Sequence, residues 1–95
     1  MKSLSYEELR EYVEKELKIP NNPRIIHCHS KQNYERILTF VEADDDIRFF
    51  RPWAGYPEII SKGDYISTNT KDIYGLKRYV FNECYIIVPL KKEPK

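Results

Sequence analysis

The sequence predicts an α+β fold, in which a curved antiparallel sheet of four to five short strands has two helices packed on one side. Two segments in the first half carry apolar residues at helical spacing, and from residue 47 onwards short apolar runs alternate with turn-forming residues. A chain of 95 residues is expected to form a single domain. We predict an N-terminal helix at about 5–18, an α+β body at about 24–89 and a frayed tail at 90–95.

The N-terminal helix has a defined start and a defined end. Ser5 and Glu8 have the spacing of a capping box, in which each side chain accepts a hydrogen bond from the backbone N–H group of the other residue. Pro20 is expected to end the helix, because proline disfavours helical dihedral angles in the residue before it. Between these limits, apolar residues recur at every fourth position: Leu9, Val13 and Leu17.

The next segment predicts a strand followed by a second helix. Residues 24–29 (RIIHCH) read as a strand, and the PNNP sequence before them predicts a turn. Residues 31–43 are predicted to be helical, because four apolar residues follow the spacing i, i+3, i+4, i+7. These residues are Tyr34, Ile37, Leu38 and Val41.

Short strands dominate the prediction for the second half of the chain. IRFFR (47–51), EII (58–60) and the segments 65–68 and 73–76 are strand-like, and 77–83 could form one helical turn. The segment from Cys84 to Pro89 is apolar enough to predict a buried strand.

The stretch SKGDYISTN (61–69) predicts a sharp turn between two strands. Gly63 can adopt a positive φ without strain. Asp64 can accept hydrogen bonds from neighbouring backbone N–H groups in an Asx-type turn. We therefore predict that Gly63 and Asp64 are structural rather than catalytic.

The same stretch resembles a known family. Small phage and prophage proteins of unknown function carry a PGDYI motif, then an aromatic residue, then an F-x-x-x-Y ending. This sequence is similar at all three points, with KGDYIS, then Tyr74, then Phe81 and Tyr85. RIIHCHSKQNYERILTFVE (24–42) is similar in placement to the upstream strand and helix of that family, although Lys62 replaces the usual proline. The resemblance implies a phage or prophage origin and implies no activity.

Composition narrows the classes of partner. Sixteen basic and fifteen acidic residues leave a formal net charge of +1, whereas sequence-independent nucleic-acid binding favours a clear basic excess. No apolar run approaches the about 20 residues of a membrane helix, so we expect no membrane partner. Two cysteines without CxxC spacing are typical of a reduced, cytoplasmic protein. No cofactor is predicted.

Two histidines are candidates for a metal site. His27 and His29 would point to the same side of the predicted strand and could both reach one zinc ion. The alternative is that they are half-buried polar strand residues, since the sequence supplies no evident third ligand. Cys28 points to the opposite side and cannot pair with either histidine, so we interpret Cys28 and Cys84 as small core residues.

The segment RFFRPW (48–53), continued to Tyr56, is the main candidate for a binding surface. Strand alternation would bury one phenylalanine and expose the other, and the prolines keep Trp53 and Tyr56 off a central strand. Aromatic residues flanked by arginines are shared by protein-binding hot spots and by platforms that stack single-stranded nucleic acid. Packing of Trp53 into the core is the alternative. The predicted binding residues are Arg48, Phe50, Arg51, Trp53 and Tyr56.

The leading functional hypothesis is a non-enzymatic accessory protein of phage or prophage type that binds a host or viral macromolecule, in the first place another protein. A second hypothesis is single-stranded nucleic-acid binding through Arg48, Phe50, Arg51, Trp53 and Lys62. A third is a small metal-assisted hydrolase that uses His27 and His29. Pairing of exposed strand edges across a two-fold axis would also give a homodimer.

Overall fold

A computed structural model describes residues 1–69 and 71–89, so the predicted tail at 90–95 lies outside the described residues. The predicted α+β class is confirmed, because two helices accompany a curled five-stranded antiparallel sheet and a smaller three-stranded sheet. The elements are β1 (Lys2–Ser5), α1 (Tyr6–Lys18), β2 (Ile25–Ser30), β3 (Asn33–Glu42), β4 (Ile47–Phe50), β5 (Pro57–Ile60), β6 (Tyr65–Ser67), β7 (Gly75–Leu76), α2 (Arg78–Cys84) and β8 (Tyr85–Ile87).

The two sheets differ in connectivity. The five-stranded sheet has the order β7-β6-β3-β2-β8, and each neighbouring pair is antiparallel. The three-stranded sheet has the order β1-β4-β5, in which β1 is parallel to β4 and β5 is antiparallel to it. β1 was not predicted, because KSLS has little strand character and its pairing partner lies far along the chain.

α1 forms as its sequence predicts. The Ser5 hydroxyl accepts a hydrogen bond from the Glu8 N–H group at 3.1 Å, and the Ser5 N–H group donates to the Glu8 carboxylate at 2.9 Å. Leu4 and Leu9 pack in the same hydrophobic cluster on either side of this cap. Because α1 follows β1 directly, the capping box fixes the angle between the small sheet and the helix.

The predicted helix at 31–43 is wrong, since this segment forms β3. Tyr34 and Ile37 are exposed, so the helical spacing of apolar residues does not mark a buried stripe. Phe40 and Val41 are adjacent and both buried, because each face of the strand is covered at that point. The second helix is instead α2, in the segment for which only one helical turn was expected.

The core consists of two clusters on opposite faces of β3. Val41 packs with α1 and with the inner side of the small sheet, where the buried residues are Ile47, Phe49 and Ile60. Phe40 packs with Cys28, Tyr65 and Phe81 of α2. The sequence prediction placed both helices together, but they contact different clusters because successive residues of a strand point to opposite faces.

The segment predicted as a buried strand at 84–89 contains the edge strand β8. Ile86 and Ile87 are about half exposed, because one side of an edge strand has no neighbour. Cys84 is exposed, so its predicted core position is wrong, whereas Cys28 is buried as predicted. Neither α1 nor α2, the helices within the described residues, is long and apolar enough to cross a bilayer.

The acidic loop after β3 connects α1 to the sheets. The Asp44 carboxylate accepts hydrogen bonds from the Tyr12 hydroxyl at 2.6 Å and from the Lys2 ammonium at 3.3 Å. It also lies 3.7 Å from the Arg24 guanidinium. Burial alone would raise the pKa of Asp44, but these donors and positive charges outweigh it and lower that pKa.

Candidate functional site

The loop between β4 and β5 displays two of the predicted aromatic residues. The Ala54 N–H group donates to the Arg51 carbonyl at 3.1 Å and closes a β-turn with Pro52 at its second position, where proline is favoured. Trp53 is the next residue of this turn and is 68% exposed, while Tyr56 is 67% exposed. Trp53 is therefore displayed at the surface and is not part of the core.

The outer side of the small sheet carries two further exposed apolar residues. In β4, Ile47 and Phe49 are buried while Arg48 and Phe50 are exposed, so the predicted alternation is confirmed. Arg48 is paired with Ile59 across the β4–β5 ladder, which places Ile59 on the outer side. Ile59 was not predicted, although two consecutive isoleucines in a strand must point to opposite faces. We call Phe50, Trp53, Tyr56 and Ile59 the aromatic surface.

The Trp53 ring rests on one buried residue of α1. The ring centroids of Trp53 and Tyr6 lie 5.4 Å apart in an edge-to-face arrangement. The Tyr6 hydroxyl accepts a hydrogen bond from the Ile73 N–H group at 2.9 Å, which fixes the supporting ring. Such aromatic pairs contribute about 0.5–1.5 kcal/mol beyond the area they bury. The packing therefore restricts the orientation of Trp53 while most of its ring stays in solvent.

Arg51, one of the predicted binding residues, is held in two ion pairs. Its side chain is only 13% exposed, its Nε donates to the Glu58 carboxylate and its Nη1 donates to Asp72 at 2.8 Å. Burial alone would lower the pKa of Arg51, but the two carboxylates outweigh burial and raise it. The guanidinium also lies about 6 Å from the Tyr6 and Trp53 rings. Arg51 therefore positions the loop and offers little charge to a partner.

The two other predicted cations are separated along the small sheet. The Arg48 guanidinium lies 5.2 Å from the Phe50 ring centroid, and within 1–69 and 71–89 no ion pair involves Arg48. Lys62 follows Ile60, which pairs with the first residue of β4, whereas Phe50 is the last. The residues proposed for nucleic-acid stacking and charge therefore do not form one cluster.

A groove runs along β1 beside the aromatic surface. Its volume is about 390 Å³, and it is lined by residues 3–7 together with Arg48, Phe50 and Pro52. The ladder pairs Ser3 with Arg48 and Ser5 with Phe50. Small side chains on β1 thus lie beside long ones on β4, which leaves a trough over β1. We call it the β1 groove.

The two histidines have separate surroundings. The His27 Nδ1 atom lies 3.1 Å from the Thr39 hydroxyl, and His27 lines an apolar groove of about 620 Å³. The His29 Nδ1 atom lies 3.0 Å from the Ser30 carbonyl, and its ring packs against Tyr34 at 4.6 Å between centroids. Among the described residues, no group of three or more histidine, cysteine or acidic side chains could hold a metal ion.

The turn at 61–64 joins β5 to β6 and contains Gly63 and Asp64. Gly63 has a φ of 88°, in the left-handed region that favours glycine. The Asp64 carboxylate accepts hydrogen bonds from the Ser61 N–H group at 3.0 Å, from the Arg78 N–H group at 3.3 Å and from the Lys77 ammonium at 3.1 Å. These bonds join the turn to the start of α2, which is a structural arrangement.

Comparisons with protein-family models, with curated proteins and with solved structures found no significant match. The resemblance to small phage proteins therefore stays a hypothesis that depends on the quoted motifs.

Proposed function

We propose that this protein is a non-enzymatic binding domain that contacts another protein through the aromatic surface. The observation that carries this proposal is the joint exposure of four large apolar side chains, from 47% for Phe50 to 68% for Trp53, around a loop fixed by Arg51. Concentrated apolar exposure of this kind is typical of interaction sites.

The loop is already held in one conformation, so binding a partner would restrict it little further. Pro52 fixes one turn dihedral, and Arg51 joins the loop to Glu58 on β5 and to Asp72 in another turn. A partner would therefore lose little affinity to loop ordering, which is the usual advantage of preorganisation. Tryptophan and tyrosine also dominate the residues that contribute most to protein interfaces.

The charges favour a protein partner over single-stranded nucleic acid. Stacking platforms for nucleic acid combine aromatic rings with a positively charged path for the phosphates. Here Arg51 is paired with two carboxylates and Lys62 lies at the far end of the small sheet, so of the three predicted cations Arg48 is the one that lies beside Phe50. With the family resemblance, this supports a host or viral protein in the host cytoplasm as the partner.

The test compares the replacement of two aromatic side chains that are similarly exposed. Immobilised protein is used to capture a partner from host cells, and the affinity of the purified pair is measured by calorimetry for Trp53→Ala and for Tyr79→Ala. Tyr79 is 67% exposed but lies on α2, away from the aromatic surface. A hot-spot tryptophan contributes about 2 kcal/mol or more, so Trp53→Ala should weaken binding about 30-fold and Tyr79→Ala should not.

Two results would contradict the proposal. One is equal loss of affinity in the two variants. The other is tight binding of a single-stranded oligonucleotide whose affinity falls steeply with salt concentration, which would favour the nucleic-acid hypothesis.

A further inference from the structure

We infer that the β1 groove accepts an extended segment of the partner in which a carboxylate and a large apolar side chain are two residues apart. This inference rests on the proposed function and adds the chemistry of the bound segment. It is carried by the unpaired charge of Arg48, by the spacing of Arg48 and Phe50 and by the free backbone edge of β1.

The spacing follows from strand geometry. Arg48 and Phe50 are alternate residues on the outer side of β4, and Ser3 and Ser5 lie opposite them on β1. Alternate residues of a strand are about 6.6–6.8 Å apart. An extended peptide that lies along β1 has the same period, so its residues i and i+2 would face Arg48 and Phe50 together. Adjacent residues would point to opposite sides and could not do so.

The edge of β1 can bind the peptide backbone. The Lys2 N–H group donates to the Asp46 carbonyl at 2.8 Å, so Lys2 directs its backbone groups towards β4. Because successive residues alternate in a parallel ladder, Ser3 directs its N–H and carbonyl groups away from β4, at the open edge of the sheet. The Ser5 N–H group is already bonded to Glu8. Ser3 can therefore pair with the backbone of an added strand.

The charges along the groove determine where the carboxylate of the segment lies. Arg48 has no carboxylate partner among the residues that the structure describes, and its guanidinium lies over Phe50 at one wall. Glu7 lines the other end and binds Arg10 at 2.8 Å. A partner carboxylate is therefore favoured beside Arg48, and the apolar side chain lies beside Phe50, towards Pro52.

The test uses capped synthetic peptides and amide chemical shifts of the isotopically labelled protein. The probes are acetyl-Gly-Asp-Ser-Leu-Gly-amide and its reverse, acetyl-Gly-Leu-Ser-Asp-Gly-amide. The controls replace aspartate by asparagine or place aspartate and leucine next to each other. We expect one of the two probes to shift the signals of residues 3–7, Arg48 and Phe50. The asparagine control should bind about 2- to 5-fold more weakly, as expected for an exposed ion pair.

A charge exchange makes the test specific to Arg48. In the Arg48→Glu variant, a peptide with lysine in place of aspartate should bind better than the aspartate peptide. Arg48→Gln should remove the preference between aspartate and asparagine. Equal binding of the aspartate and asparagine peptides to the unmodified protein would overturn the inference. The inference would also be overturned if the peptides shifted only signals from the groove that His27 lines, or if oligothymidine shifted the signals of the β1 groove. A third contrary result would be shifts in the β1 groove that depend on protein concentration without peptide, because a second copy of the protein would then occupy the groove.

The failure of this inference can be separated from the failure of the proposed function. If Trp53→Ala weakens binding of the protein partner while Arg48→Glu does not, the aromatic surface is the interface and the groove is not. If neither substitution weakens binding, the proposed function is wrong as well.

Discussion

Replacing Arg51 with alanine should destabilise the whole domain, although Arg51 lies in an exposed loop. A hydrogen bond to a charged group contributes about 1.5–3 kcal/mol. We assign that value to the bond with Glu58, whose side chain is 30% exposed. The Asp72 side chain is 60% exposed, so its bond is discounted to less than about 1 kcal/mol. The free energy of unfolding should therefore fall by about 2–3 kcal/mol.

The matched control is Arg48→Ala, in the strand β4 that leads into this loop. Arg48 has the same chemistry as Arg51, but no ion pair within the described residues involves it. Its replacement should change the free energy of unfolding by less than about 0.5 kcal/mol. Arg51→Lys should give an intermediate value, because lysine keeps the charge but lacks the planar fork that reaches two carboxylates.

The assay is urea unfolding followed by far-ultraviolet circular dichroism, with thermal unfolding as a second measure. A loss of 2–3 kcal/mol corresponds to a fall in Tm of about 8–24 °C for a domain of this size. The single tryptophan, Trp53, gives a fluorescence signal from the loop itself in the same samples. Equal urea midpoints for Arg51→Ala and Arg48→Ala would refute the reasoning, since the ion pairs of Arg51 would then contribute nothing.

Three further predictions concern the turn, the acidic loop and the cysteines. Gly63→Ala should cost about 1–2 kcal/mol because of its positive φ. Gly55→Ala should be neutral in the same urea assay, since a Cβ atom there meets open space. The fold lowers the pKa of Asp44, so this carboxylate stabilises the protein at any pH above the pKa that Asp44 has in the unfolded chain. The stabilisation is lost as the pH falls through the lower pKa that Asp44 has in the folded protein. Asp44→Asn should therefore be less stable at neutral pH and should lose less stability on acidification to pH 2, measured by thermal unfolding across pH. In the native protein a thiol reagent should modify Cys84 and leave Cys28 unmodified, because burial shields the Cys28 thiol and raises its pKa. Equal labelling of the two cysteines by mass spectrometry would contradict this.

The elements with local signals could be predicted from the sequence. The capping box defined α1, and the alternation of β4 separated buried Phe49 from exposed Phe50. β3 could not be predicted in this way, because Phe40 and Val41 are buried on opposite faces by different elements. That double burial removes the period of two that identifies a strand with one buried face.

The sequence predicted only part of the candidate site, because only part of it depends on local sequence patterns. The exposure of Trp53 and Tyr56 follows from local turn chemistry around Pro52, which the sequence contains. The role of Arg51 depends on Glu58 and Asp72, whose positions are set by the fold. A local pattern of arginines and aromatics therefore located the surface but could not distinguish the arginine that holds the loop from the arginine that is left for a partner.

The position of β3 between two clusters has a consequence for how the domain opens. A fluctuation that separates α2 from Phe40 removes contacts on one face only, so α1 and Val41 can stay packed on the other. Amide hydrogen exchange should then show two levels of protection, with α2 and the edge strand β8 exchanging through partial openings and α1 with the centre of β3 exchanging only through complete unfolding.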